Sequence, residues 1–166
     1  MDSCPICGTH QMVSPSGRKD SPILIIGDYP GDVEIKKGVS MVGPMGNVLK
    51  TELAFLGIDL RRCRLTNLWL HAPNKQNECM EFGIQQAILE AKGKKAILLL
   101  GSECTKYFCD KSVRCVCGLQ VISPYLSAPI IYACLNPVVV FKHGGGGVGE
   151  VRLALKKFSK ALKGIL

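Results

Sequence analysis

The chain has 166 residues, with 21 Lys and Arg against 13 Asp and Glu for a net charge of +8. That length buries a core without crosslinks, and that charge favours an anionic partner such as nucleic acid, a basic surface kept for solubility being the plainer alternative. Nine cysteines without a recognisable secretory leader predict a reducing, cytoplasmic compartment in which thiols are free or metal-bound; no apolar run nears the roughly eighteen residues of a membrane span, so no membrane partner is expected.

One domain over residues 1–166 is expected. Cys4-Pro5-Ile6-Cys7 opens it with a C-x-x-C spacing, which brings two thiolates to one metal from a single tight turn. Together with the polar connecting residues that follow, it makes an N-terminal metal-binding segment of about 1–21. Ile23 to Ile26 is a short apolar run that stops at Gly27, predicting a strand whose carboxyl end turns through Asp28-Tyr29-Pro30-Gly31. A charged residue thus stands at a strand tip. Glu34, the basic pair Lys36 and Lys37, and a glycine-punctuated stretch from Gly38 to Gly46 continue as a loop that lets backbone approach a ligand closely. A helix follows, with Leu49, Leu53 and Leu56 on one face.

Arg62 to Leu70 reads as a second strand with Thr66-Asn67 near its end, after which the chain turns through His71-Ala72-Pro73-Asn74. Met80, Ile84, Ala87 and Ala91 keep helical spacing from about Glu78 to a stop at Lys92-Gly93, with Cys79 in the first turn. Ala96 to Leu100, closed by Gly101, has the pattern of a strand buried on both faces of a parallel sheet. A short helix from Ser102 to about Asp110 then precedes two β-like runs, Val113 to Cys117 and Leu119 to Ile122, linked at Gly118. Ile130 to Cys134 is a further strand that delivers Leu135-Asn136-Pro137 to its carboxyl end. His143 and the four glycines after it form a loop that either reaches toward DNA or simply links. The last helix turns Val151, Leu155, Phe158 and Leu162 inward and Lys156, Lys157, Lys160 and Lys163 mostly outward. Alternating strands and helices predict an α/β fold, three-layer α/β/α with a mostly parallel central sheet, in which strand ends gather Asp28, Asn67 and Asn136 toward one crevice. Cys63, Cys104, Cys109, Cys115, Cys117 and Cys134 read as small apolar residues or free thiols rather than ligands.

The order of these motifs resembles the uracil-DNA glycosylase superfamily, in particular its iron-sulfur branch. That branch carries Gly-Glu-(Ala/Gly)-Pro-Gly, Pro-Phe-Val-Gly, a Thr-Asn strand end and His-Pro; this chain has Gly27-Asp28-Tyr29-Pro30-Gly31, Ser40-Met41-Val42-Gly43, Thr66-Asn67 and Asn136-Pro137. The resemblance implies a uracil-DNA glycosylase-like fold and hydrolysis of the N-glycosidic bond of uracil or another altered base. By it, Asp28 orients the attacking water, Asn136 stands where a histidine stabilises the departing base, and Tyr29, Met41 and Asn67 bind the base. Met41 lacks the ring that stacks on a flipped base, and Asn136 donates without carrying charge. Lys36, Lys37 and His143 are the candidate DNA contacts. The resemblance also implies a 4Fe-4S cluster on Cys4, Cys7, a third position that here is His71, and Cys79; a Cys3His set is equally an ordinary zinc combination. Rival readings are a non-catalytic DNA-binding relative serving replication or repair proteins, and a nucleotide- or protein-binding module of the same fold.

Overall fold

The computed structural model describes residues 3–138 and 147–164. Among the described residues the strands and principal helices follow in the order β1 (Ser16–Gly17), β2 (Ile23–Gly27), α1 (Asp32–Lys37), α2 (Pro44–Phe55), β3 (Arg64–Asn67), α3 (Asn77–Ala91), β4 (Ala96–Leu100), α4 (Ser102–Cys109), α5 (Val113–Val116), β5 (Ile130–Cys134) and α6 (Val148–Leu162). They build one sheet of order β1-β3-β2-β4-β5, in which only β1 runs antiparallel to its neighbour. No helix among the described residues is long and apolar enough to cross a membrane.

The period-two alternation of a strand explains the layering. Ile23 and Ile25 of β2, with Leu98 and Leu100 of β4, join the core that α2 and α6 cover with Leu49, Leu53, Leu155 and Phe158. Leu24 and Ile26, with Ile97 and Leu99, point the other way, into the core that α3 and α4 cover with Ile84, Ala87, Cys104 and Phe108. Continuous aliphatic runs are therefore what a doubly covered sheet needs. Each such side chain fully removed from water contributes about 1.5–3 kcal/mol before the entropy of ordering is counted. The arrangement is the expected three-layer α/β/α fold with a mostly parallel sheet.

Three local expectations change. The segment from Asp32 to Lys37 is a helix rather than loop, closed by Gly38 in the left-handed conformation. Strand β3 ends at Asn67, although Leu68 and Trp69 still donate to the carbonyls of Gly27 and Asp28, each at 2.9 Å. The two expected strands across residues 113–122 do not form. Residues Val113–Val116 are a short helix, and only single rungs join Cys117 to Ala133 in parallel and Gln120 to Tyr132 antiparallel. The change of sense between those rungs means that the chain reverses at Gly118, whose φ of +72° suits glycine. Leu119 and Ile122 consequently stay exposed.

Candidate active site and metal-donor cluster

A cavity of about 540 Å³ opens at the carboxyl ends of the strands, lined among others by Tyr29, Glu34, Met41, Asn67, Asn136 and the Ala72-Pro73 pair. Its position follows the rule that open parallel sheets bind ligands beyond their strand ends, and its size suits a small organic ligand. A second hollow of about 500 Å³ lies beside α3 and α4, but its lining is largely apolar and holds none of the candidate catalytic, base-binding, DNA-binding or metal-donor residues.

Asn67 is 2 % exposed, and its Oδ1 is buried without a hydrogen-bond partner. It lies against Gly27, where a methyl group would also meet Met41 Cε at 3.7 Å; a side chain on Gly27 would thus fill the cavity floor. A buried amide acceptor left open is unfavourable by about 1–3 kcal/mol unless a ligand donates to it. Met41 is buried at φ +57°, a left-handed conformation rare outside glycine that costs roughly 1–2 kcal/mol. Tyr29 stands half exposed at the rim. Asn136 accepts from the Val138 N–H at 3.0 Å through Oδ1, so the group it can offer the cavity is its Nδ2.

Asp28 does not join them. Its carboxylate accepts from the N–H groups of Ser102 at 3.1 Å and Cys104 at 2.9 Å, closing the first turn of α4 in place of a local cap. It packs so tightly on Gly101 that no side chain fits there. Two carboxylates of α1 line the cavity instead, the exposed Asp32 and Glu34, which is buried at 4 % exposed. One of its oxygens accepts from Gly43 N–H at 2.8 Å, and a methyl on Gly43 would come within 2.6 Å of the other. The sequence offered one signal for Glu34: with Asp32 it begins a short run that ends in Lys36-Lys37 and Gly38, the polarity of a helix between two glycines. Lys36 and Lys37 are exposed in the last turn of that helix. His143 lies outside the described residues.

Cys4, Cys7, His71 and Cys79 converge, their donor atoms all within 4.8 Å of one another. Cys4 and Cys7 sit on a tight knuckle in which the Gly8 N–H donates to Cys4 O and the Cys4 N–H to Thr9 O, both at 2.9 Å. His71 Nδ1 lies 2.8 Å from the Ala72 carbonyl, which can only accept. The proton is therefore on Nδ1, and the Nε2 lone pair faces the thiols, 3.6 Å from Cys7 Sγ. Cys79, in the first turn of α3, lies 4.0 Å from Cys4, and Asn74 Nδ2 donates to its sulfur at 3.7 Å. Burial raises the Cys4 thiol, but the N–H groups of Cys7 and Ile6 outweigh it and bring the pKa down to about 7. These four residues form a group that could hold a metal ion. The remaining six cysteines are free; Cys63, Cys104, Cys109 and Cys134 are buried, Cys115 is exposed, and Cys117 is half-buried.

Residues 14–156 match the Uracil DNA glycosylase superfamily. The chain is also 29 % identical over 119 residues to the type-4 uracil-DNA glycosylase of Thermotoga maritima, an alignment covering 64 % of this chain and 61 % of that relative. It thus spans less than two thirds of the relative's length. With the motif order, the parallel sheet and a cavity at its strand ends in agreement, the chain belongs to the uracil-DNA glycosylase superfamily.

Proposed function

We propose that this protein hydrolyses the N-glycosidic bond of uracil, or of another altered base, in DNA. The observation that carries the proposal is Asn67, whose buried Oδ1 has no partner, on the lining of a cavity roomy enough for a nucleobase whose wall also holds a buried carboxylate. Such chemistry needs the base out of the stack, held along its polar edge, and released as an anion from a cation-like sugar. Asn67 offers both an acceptor and a donor, the complement of an imide N–H beside a carbonyl. Met41 supplies an apolar surface for the base face. Glu34 is the carboxylate suited to orient water: the water oxygen bonds to the sugar C1′, the C1′–N bond breaks with its electrons leaving on the base, and the water proton passes to Glu34. Asn136 Nδ2 donates to the departing base and, being neutral, stabilises it less than a cation would. Lys36 and Lys37 then contact phosphates, so affinity falls as salt rises.

Asp28 contributes in this reading by fixing α4 and the strand tip, a positioning role. The metal-donor group braces the N-terminal knuckle against His71 and α3, and no step of base release runs through it. Two departures favour the rival reading of a non-catalytic DNA-binding relative: the missing ring at Met41 and the uncharged Asn136. Single-turnover incubation with a uracil-containing oligonucleotide, followed by alkaline strand cleavage, separates the two. Cleavage at uracil is expected, with faster release by Asn136→His. If neither protein releases uracil while both bind the DNA, the enzyme reading is wrong and the binding reading replaces it.

A further inference from the structure

We infer that Cys4, Cys7, His71 and Cys79 bind a single tetrahedral zinc ion in place of the four-iron cluster that the motif resemblance implies. The argument rests on spacing. A tetrahedral ion with bonds of about 2.3 Å to sulfur and 2.0–2.1 Å to nitrogen sets its donors about 3.5–3.8 Å apart. The Cys4 to Cys79 sulfur distance is 4.0 Å, Cys7 Sγ to His71 Nε2 is 3.6 Å, and every pair lies within 4.8 Å. In a four-iron cube each ligand bonds outward from a different iron, so two donors are separated by an iron–iron edge and the splay of both bonds, roughly 6 Å. These separations fall close to those of a single tetrahedral ion and short of those a cube requires.

The surroundings hold the donors at that spacing. Cys4 is fixed by both hydrogen bonds of its knuckle, Cys79 by the first turn of α3, and the His71 ring by its Nδ1–H to Ala72. Cys4, His71 and Cys79 are each at most 4 % exposed, so spreading them for a larger body requires the core around them to move. The donor chemistry agrees: three thiols and one neutral imidazole, its tautomer set by a carbonyl, form an ordinary closed structural zinc set with no position left for substrate. This inference concerns the metal alone and stands or falls independently of base excision.

The test uses the full chain, produced with iron and zinc both supplied and purified without oxygen, with metals and acid-labile sulfide counted. One zinc per chain, no sulfide and a colourless protein are expected. Exchange with Co(II) should then give the visible ligand-field bands of a tetrahedral thiolate-rich site. His71→Cys should keep one ion and strengthen the sulfur-to-cobalt charge-transfer band, and His71→Ala should weaken zinc by more than about tenfold in competition with a chelator. Four irons and four sulfides per chain with a broad brown absorption would overturn the inference, as would native protein carrying no tightly held metal. The native chain decides the matter even if a His71 variant does not fold.

Discussion

The metal-donor knot and the cavity meet at His71 and Ala72, yet they are built in opposite ways. In the knot every donor faces another donor, and the one imidazole proton is spent on a carbonyl. Around the cavity, by contrast, Asn67 Oδ1 is buried with no partner, and Met41 holds an unfavourable backbone. The first arrangement resists change because its side chains are largely buried and tied to one another and to Ala72 and Asn74 by hydrogen bonds. The second is destabilised and can be relieved from outside, as expected where strain and open hydrogen bonds collect at functional sites. Stability and ligand binding are thus assigned to two adjoining regions, and substitutions should separate them.

The largest effect is expected in the knot. Cys79→Ser should release the inferred ion and lower unfolding free energy by about 4 kcal/mol or more, the range reserved for lost metals and broken cores; urea titration of the native and variant chains measures it. Glu34→Gln should act on the other region, slowing uracil release by roughly 10²–10⁴. Its amide oxygen can still accept from Gly43, so melting should change little. A variant as fast as the native chain would remove Glu34 from the reaction.

Asn67→Ala should divide the two properties most sharply. Release should fall about 10²-fold, while stability stays within about 1 kcal/mol because an unsatisfied buried acceptor is removed with the side chain. Asp28→Ala should do the reverse in part: the Ser102 and Cys104 N–H groups lose their acceptor, costing about 1–2 kcal/mol of stability. Unchanged stability with abolished release would return Asp28 to the chemistry.

The smallest effect lies in neither region. Arg64 of β3 and Glu90 of α3 form a bidentate pair at 2.7 Å, and the guanidinium holds the Glu90 carboxyl below its usual 4.5. A depressed carboxylate stabilises the fold above its unfolded pKa and loses that contribution as pH falls through the folded value. Acid titration should therefore remove roughly 1 kcal/mol below about pH 4.5, and Arg64→Met should flatten that part of the profile.

How far these regions could be read from sequence follows from the range of the interactions involved. Strands β2, β4 and β5 are legible because short continuous apolar runs beside glycine or proline have few other uses, and α2, α3 and α6 because their apolar residues repeat at helical spacing. Helix α1 is only six residues long, and β1 only two, too short for any period to register. Val113 to Cys117 is rich in β-forming residues but ends where the chain reverses, a tertiary fact. At the site, motif order pointed to Asn67, Met41 and Asn136, and the cavity brings all three together. Which acidic residue faces it was not readable: Asp28 turns away because the N-terminus of α4, 74 residues later, presents two unpaired N–H groups to it.

The way the sheet stops has a bearing on how the protein behaves at high concentration. Beyond β3 lies a strand of two residues, and beyond β5 a segment that touches it at two rungs of opposite sense. Neither margin offers the long, flat row of free N–H and C=O groups on which a second chain could add a strand. The interior strands, among the most aliphatic segments of the sequence, are the ones that would associate if exposed. Self-association into fibrils should therefore require global unfolding, and conditions that only loosen the cavity should leave the protein monodisperse.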